Sequence, residues 1–247
     1  STKEPLASLA NLLENVPASR LFDEMLKLLT CGQAMECLKQ LRQDGLHQGI
    51  LPLLDVVLEQ PGGEAFIELA LERTDQRIRS GKTVSPSFLF AALLWYQVDV
   101  RWKKRIAAGE PSIQAIMEAA DSVLDEQTEK LAIQKRFSAD MREIWFMQPR
   151  FEKRLPKSIW RMFEQPRFRA AVDFLQLRAA SHQFDSVLAQ WWMDLANADD
   201  DGRAEMLEAL SKLPRESGAT GPRTRSRRKR SPRAAADTLR TSPTDVT

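Results

Sequence analysis

The sequence predicts an all-α protein, an irregular multi-helix array that is followed by a basic, disordered C-terminal tail. Apolar residues recur at the 3.6-residue helical period along most of the chain. No segment shows the alternating pattern of a strand or the turn signal of a hairpin. No internal repeat of about 30 to 45 residues is present, which argues against a regular helical solenoid.

The first half of the chain is predicted to form helices that proline and glycine separate. Pro17 lies in the first turn of a helix that Gly32 can end. The helices that follow cover residues 33–44, 49–59, 64–79 and 87–98. Ser85 is the expected N-cap of the last of these, and Pro86 occupies its first position. Because residues 88–96 are an uninterrupted apolar run, we expect this helix to be buried.

The second half is predicted to be helical as well. Pro111 begins a long helix that ends near residue 131, and Ser138 is expected to cap a helix over residues 139–147. The remaining helices cover residues 157–163, 167–180, 186–197 and 201–212. Three aspartates, residues 199–201, precede the last helix. We interpret them as N-terminal caps that oppose the helix dipole, rather than as a magnesium site.

The charge of the chain is unevenly distributed. The formal net charge is +2, but residues 214–247 contain nine basic and three acidic side chains, a net charge of +6, which leaves −4 for the rest. Residues 130–178 contain twelve basic and five acidic side chains. A slightly acidic body with a basic C-terminal region indicates a polyanionic partner, with nucleic acid as the first choice.

No residue pattern indicates an active site or a metal site. The two histidines, His47 and His182, are far apart in sequence, and no nucleotide-binding or zinc-protease motif is present. Cys31 and Cys37, taken as six residues apart on one helix, would point about 240° apart, so we expect neither a disulfide nor a shared metal. The composition favours a reducing cytoplasm, and no apolar stretch is long enough for a membrane span.

Residues 159–178 (IWRMFEQPRFRAAVDFLQLR) interleave arginines with aromatic rings. Guanidinium groups hold phosphates and rings stack on bases, so this pattern favours single-stranded nucleic acid. Most of these rings are nevertheless expected to be core, since Phe168, Val172 and Leu175 share one helical face. Arg169 can form an ion pair with Asp173 one turn away.

Six segments carry a family resemblance in chain order: residues 16–29 (VPASRLFDEMLKLL), 73–78 (RTDQRI), 85–96 (SPSFLFAALLWY), 123–126 (VLDE), 131–136 (LAIQKR) and 163–178 (FEQPRFRAAVDFLQLR). They resemble the successive neck, body and C-terminal signatures of the bacterial poly(A) polymerase I family, which are class II nucleotidyltransferases. The pair Trp191-Trp192, expected to be mostly core, and the arginine-rich tail are also similar to this family.

The resemblance implies a division of the chain into part of a neck (residues 1–60), an RNA-binding body (61–150), a basic leg (151–213) and a disordered arginine-rich tail (214–247). It implies an RNA-binding C-terminal portion of an enzyme that adds AMP from ATP to RNA 3′ ends in mRNA polyadenylation and decay. The family's catalytic head, with its Gly-Ser motif and paired aspartates, has no counterpart here. We therefore expect no catalytic residue, metal ligand or cofactor in this chain, with ATP and Mg²⁺ used by the intact parent.

The expected partners are single-stranded RNA 3′ ends and RNA-decay proteins, with the chain a cytoplasmic monomer that binds no membrane. Basic side chains of the C-terminal half are the predicted phosphate contacts. In the body and leg they are Lys135, Arg136, Arg150, Lys153, Arg154, Lys157, Arg161, Arg167 and Arg169. In the tail they are Arg223, Arg225, Arg227, Arg228, Lys229, Arg230 and Arg233. Asp75 and Arg77 are expected to lock helices together.

Two alternatives stay open. One is a stand-alone helical adaptor that binds RNA-decay proteins through its acidic N-terminal half. The other is the equivalent region of a tRNA CCA-adding enzyme, against which the arginine-rich tail and the leg-type motif argue.

The absence of the paired aspartates predicts that the isolated chain is inactive, because two-metal nucleotidyl transfer requires close carboxylates to hold both ions. Incubating the chain with ATP, Mg²⁺ and an RNA oligonucleotide should give no extended product on a denaturing gel. Template-free extension of the oligonucleotide would show that this interpretation of the sequence is wrong.

Overall fold

A computed structural model of the protein describes residues 15–44, 63–131 and 133–212, and within these residues it shows ten α-helices and no strand. The helices are α1 (Ala18–Leu29), α2 (Ala34–Gln43), α3 (Glu64–Arg79), α4 (Pro86–Ala107), α5 (Ser112–Leu131), α6 (Lys135–Met147), α7 (Pro156–Phe163), α8 (Phe168–Ala180), α9 (Ser186–Asn197) and α10 (Asp200–Lys212). The all-α prediction is confirmed. The predicted helix over residues 49–59 and the predicted tail lie outside the described residues.

Helix α4 begins as predicted but is longer. The Ser85 hydroxyl accepts a hydrogen bond from the Phe88 amide at 3.5 Å, and Pro86 is the first helical residue. The helix continues beyond the apolar run to Ala107. It continues because Trp102 is still buried and because Lys103 forms an ion pair with Asp99, one turn earlier, at 2.6 Å.

The prediction that Ser138 caps α6 is wrong. The helix begins one turn earlier, at Lys135, with Gln134 at the N-cap position, so that Ser138 lies buried inside it. Phe137 is buried in this added turn, where its ring packs on that of Phe22 with centroids 5.8 Å apart. Burial of this ring explains why the helix starts earlier than the sequence pattern indicated.

The cysteine pair corrects another expectation. Cys31 lies in the turn between α1 and α2, at which Gly32 adopts a φ of +83°, so the two cysteines do not share a helix. Their sulfur atoms are 3.9 Å apart as free thiols, not on diverging faces. Burial raises the pKa of the Cys37 thiol, and Cys31, Asp75 and Glu36 act in the same direction.

Asp75 fixes the start of α2, as a helix-locking residue should. Its buried carboxylate accepts hydrogen bonds from the backbone amides of Ala34 at 2.9 Å and Met35 at 3.4 Å. These amides have no partner within their own helix, so a carboxylate from α3 takes the place of a local cap. Arg77 of the same helix donates to the Thr83 carbonyl at 2.7 Å and so holds the loop that leads to α4.

Helix α4 lies at the centre of the larger of two hydrophobic clusters. All seven residues from Leu89 to Trp95 are fully buried, as the apolar run predicted. Side chains from α1 to α6 surround them, and the ring of Phe22 stacks on that of Phe90 with centroids 5.0 Å apart. None of the helices in the described ranges is both long and apolar enough to cross a membrane.

The smaller cluster lies between residues 147 and 207 and is rich in aromatic rings. Phe151, Phe168 and Trp192 form its centre, and the Trp192 indole N–H donates to the Phe151 carbonyl at 2.9 Å. Helix α8 belongs to both clusters, since Val172 and Leu175 face this one whereas Phe174 and Leu177 face the larger one. The two cores are therefore joined through a helix that is buried on more than one side.

A buried cation lies at the end of α8. Arg178 is only 4% exposed, and its guanidinium group lies 4.9 Å from the ring centroid of Trp95, 5.8 Å from that of Trp102 and 5.3 Å from that of Phe184. It also donates to the Gln148 carboxamide oxygen at 3.2 Å. Burial lowers the pKa of Arg178 to about 10, while Asp99 and Glu152 act in the opposite direction. The side chain therefore stays charged at neutral pH, and the rings stabilise it.

Arg178→Ala should lower the free energy of unfolding by about 2–5 kcal/mol, because the variant loses packing against three rings and leaves the Gln148 oxygen without its donor. Arg178→Met keeps an unbranched apolar stem over the rings and should be less destabilised. Urea unfolding measures both. The exposed control Lys104→Ala should remain within about 0.5 kcal/mol of the unsubstituted chain, and an equally small effect at position 178 would contradict this role.

Candidate nucleic-acid interface

The nine cations predicted in the body and leg lie on four consecutive parts of the structure. Lys135 and Arg136 begin α6; Arg150, Lys153 and Arg154 lie around the connection between α6 and α7; Lys157 and Arg161 lie on α7; Arg167 and Arg169 lie at the start of α8. The seven predicted tail residues, Arg223, Arg225, Arg227, Arg228, Lys229, Arg230 and Arg233, are outside the described residues. These cations therefore follow one another along a single stretch of chain, from the start of α6 to the start of α8.

Basic side chains outnumber acidic ones in α7 and in the connection that precedes it. Residues 150–164 contain five basic side chains and two acidic ones, Glu152 and Glu164. Lys153, Lys157 and Arg161 are exposed and form no ion pair with any residue that the structure describes. Lys135 on α6 has the same character. These side chains keep their donors available to an external anion.

Two of the predicted phosphate contacts are instead engaged within the protein. Arg167 binds Asp140 through Nη2 at 2.8 Å and Nε at 2.9 Å, and the same carboxylate accepts a hydrogen bond from Ser87 at 2.9 Å. Arg169 forms the predicted ion pair with Asp173 at 3.3 Å and also donates to Asn197. Both arginines are about half exposed. Because each also contacts a neighbouring helix, part of its charge is used to hold α8 in place.

Arginines from distant parts of the sequence lie near the Asp173 carboxylate. Burial raises the pKa of Asp173, whereas Arg169, Arg77 and Arg73 lower it. Arg73 and Arg77 belong to α3 and are about 100 residues from Asp173, so only the packing of α3 on α8 brings them together. These two arginines are not among the phosphate contacts predicted from the sequence, because no local pattern marks them.

Aromatic residues form a connected series that has an exposed ring, Trp160, at one end and a partly exposed ring, Trp191, at the other. Successive ring centroids from Trp160 through Phe163, Phe168 and Trp192 to Trp191 are separated by 6.2, 4.6, 6.4 and 5.1 Å. Phe168 and Trp192 are buried, as predicted, while Trp191 is partly exposed and Trp160 is 54% exposed. The guanidinium group of Arg154 lies 5.3 Å from the Trp191 ring.

Trp160 is a candidate functional residue that the sequence analysis did not single out. A usable signal was present, since Ile159, Met162 and Phe163 follow helical spacing and mark the buried face of α7, which leaves Trp160 beside that face.

His182 is exposed and adopts a φ of +61° at the end of α8, a position typical of a helix C-terminus.

The described residues offer hydrogen-bond donors for phosphates and aromatic surfaces for bases, but no cluster of metal-ligand side chains. Across residues 15–44, 63–131 and 133–212, no group of three or more His, Cys, Asp or Glu side chains could hold a metal ion. Unpaired cations beside exposed rings are suited to a nucleic-acid strand whose bases are accessible, because cations neutralise its phosphates and rings stack on its bases.

Two family models match the chain. The model described as "Polymerase A arginine-rich C-terminus" matches residues 108–234, and it therefore includes α5 to α10 and the arginine-rich segment. The model described as "Probable RNA and SrmB-binding site of polymerase A" matches residues 1–58.

Curated relatives agree with these matches. The chain is 39% identical over 239 residues to poly(A) polymerase I of Salmonella typhi, which covers 94% of this chain and 50% of the relative. It is 37% identical over 238 residues to the protein of the same name from Escherichia coli O157:H7, with the same two coverages. The corresponding protein of Haemophilus influenzae is 35% identical over 219 residues, 86% of this chain and 48% of the relative. The chain thus spans about half the length of the curated relatives it matches.

Proposed function

Because the chain belongs to the bacterial poly(A) polymerase I family, we propose that it is the RNA-holding portion of an enzyme that adds AMP from ATP to RNA 3′ ends. The observation that carries the proposal is the excess positive charge of residues 150–164 beside the exposed ring of Trp160 and the partly exposed ring of Trp191. A template-independent polymerase has to hold its substrate without reading one sequence. Phosphate contacts and base stacking satisfy this requirement, since both are largely independent of sequence.

We rank the proposed phosphate contacts by their exposure and by whether each cation has an acidic partner. Lys135, Lys153, Lys157 and Arg161 rank first, because they are exposed and have no acidic partner among the described residues. Arg136 and Arg154 lie over the rings of Phe137 and Trp191, an arrangement that fixes the guanidinium plane while its edge can still donate. Arg150 has no ion pair with a described residue but is only partly exposed.

The remaining candidates contribute less direct contacts. Arg167 and Arg169 rank below the others because their carboxylate partners already neutralise part of their charge. The tail cations, Arg223 to Arg233, supply a diffuse contact that strengthens RNA binding without fixing its geometry.

ATP and Mg²⁺ belong to the proposed activity of the whole protein. In the part of this chain that the structure describes, no cluster of side chains has the composition of a metal site, so we assign no residue here to either group. The residues described above bind and orient the RNA strand.

A protein contact is the second proposal, for residues 1–58. The matching family model names both RNA and SrmB in its description of this region. Helices α1 and α2 carry acidic and basic side chains in nearly equal numbers and so lack the excess of positive charge that residues 150–164 offer to RNA phosphates. We propose that an RNA-decay protein binds at this end, and that the chain acts as a cytoplasmic monomer.

Replacing Lys153, Lys157 and Arg161 together by glutamine should weaken binding of a single-stranded RNA and make the binding less dependent on salt. Each lost phosphate contact reduces the slope of log K against log salt concentration by about 0.7, so three contacts reduce it by about 2. Filter binding across a series of salt concentrations gives both quantities.

The matched control replaces Lys27, Lys103 and Lys212 by glutamine, which changes the net charge equally. Each of these lysines is bound to a carboxylate, at 2.7 Å from Glu24, 2.6 Å from Asp99 and 2.7 Å from Glu208 respectively. Equal effects of the two triple substitutions would mean that the affinity follows net charge and not this surface.

Deleting residues 214–247 should lower the RNA affinity further and reduce the salt slope, because the deletion removes a net charge of +6. A full-length variant in which the tail Arg and Lys residues are replaced by glutamine separates the effect of charge from that of length. If the truncated chain binds RNA as tightly as the full chain at every salt concentration, the tail is not an RNA contact.

A further inference from the structure

We propose that Trp160 is a stacking site for one unpaired base of a single-stranded RNA. The inference rests on the proposed RNA-binding function and assigns a specific contact to it. It is supported by the exposure of the ring, by its unused indole N–H, by its rigid mounting and by the charges around it.

Trp160 is exposed to an unusual degree for its residue type. The residue is 54% exposed, and it is the sole aromatic residue among the large exposed apolar residues of the described part. Tryptophan is normally largely buried, because its large apolar surface favours removal from water. The neighbouring Phe163 ring meets it at 51° with centroids 6.2 Å apart, so the two rings do not stack on each other. The indole therefore retains surface on which a base can lie.

The indole N–H of Trp160 also distinguishes it from the core tryptophans. The buried tryptophans all donate to a protein oxygen: Trp95 to Gln183 at 2.7 Å, Trp102 to Ser112 at 3.0 Å, Trp145 to Ala91 at 3.1 Å and Trp192 to Phe151 at 2.9 Å. Trp160 donates to no residue that the structure describes. Its exposure is consequently not explained by a polar contact at the surface of the protein.

Trp160 is held on a rigid base. Ile159 and Met162, on either side of it in α7, are fully buried in the smaller hydrophobic cluster. Phe163 packs on Phe168 with centroids 4.6 Å apart, and the guanidinium group of Arg203 lies 5.1 Å from the Phe163 ring. A ring that is already positioned loses little conformational entropy when a ligand stacks on it.

The charges around Trp160 favour a polyanion over a protein partner. Lys157 is one helical turn before it and Arg161 directly follows it, and neither is paired with a described carboxylate. The nearest acidic residue that follows Trp160 in sequence is Glu164, which lies at the C-cap of α7. A strand of RNA presents phosphates, which these two cations can neutralise, next to bases, which can stack on the indole. We therefore assign the occupant as a base of single-stranded RNA.

Two oligonucleotides of equal length and charge test the assignment. One is a single-stranded RNA, and the other is its abasic counterpart, which keeps the phosphates but has no bases to stack. Trp160→Ala should weaken binding of the RNA by roughly 5- to 150-fold, the range typical for loss of one base stack, and leave the affinity for the abasic strand unchanged. The salt slope should stay the same, because no phosphate contact is removed. Trp160→Phe keeps an aromatic face and should retain most of the affinity.

Val187→Ala is the matched control, because Val187 is a highly exposed apolar side chain without a ring, and it should bind both strands as the unsubstituted chain does. Unchanged RNA affinity of Trp160→Ala overturns the assignment, and so does an equal loss for the RNA and abasic strands. Loss of an interaction with a protein while RNA binding stays intact would identify Trp160 as a protein contact instead. If the unsubstituted chain shows no salt-dependent RNA binding, the proposed function itself fails, which is a different result from failure at Trp160 alone.

Discussion

Helix α8 packs against two hydrophobic clusters at once, and the rest of the structure depends on this double burial. A helix at the edge of a core needs one apolar stripe, but α8 buries side chains toward α4 and also toward α7 and α9. At its end, the cation of Arg178 is accommodated among three aromatic rings. The basic stretch of residues 150–164 consequently rests on the same unit as the buried helix α4, and its cations are positioned by packing.

The distribution of ion pairs, rather than the number of cations, points to a binding surface. Arg101, Arg105, Arg142 and Arg167 all bind carboxylates and so contribute to the cohesion of the helices. Lys153, Lys157 and Arg161 form no such pairs with described residues, although they belong to the same unit. Exposed ion pairs stabilise a fold only weakly, so their main consequence here is to reduce the charge that some arginines can offer to an anion.

Phosphate contacts and stacked bases supply different properties to a polymerase that extends RNA without a template. Phosphate contacts depend on salt and let a strand move, since neighbouring phosphates are equivalent. A stacked base gives a strand a preferred position without selecting a sequence, because every base has an aromatic face. An exposed indole on a rigid helix, beside unpaired cations, can provide both properties in one place. The proposed protein contact lies in a different part of the chain, within residues 1–58.

The sequence by itself determined the helical class, most of the helix boundaries, the buried helix over residues 88–96 and the family. It did so because helical periodicity, prolines at helix starts and glycines after helix ends are local signals. The tertiary structure decided the features that depend on distant contacts. It brought the two free thiols close together through the turn at Gly32, and it brought Arg73 and Arg77 near Asp173. It also moved the start of α6 to bury Phe137, and it decided which cations have ion-pair partners. Exposure of Trp160 belongs to the same group. A ring in a helix is buried or exposed according to which neighbours pack on it, and those neighbours are set by the fold.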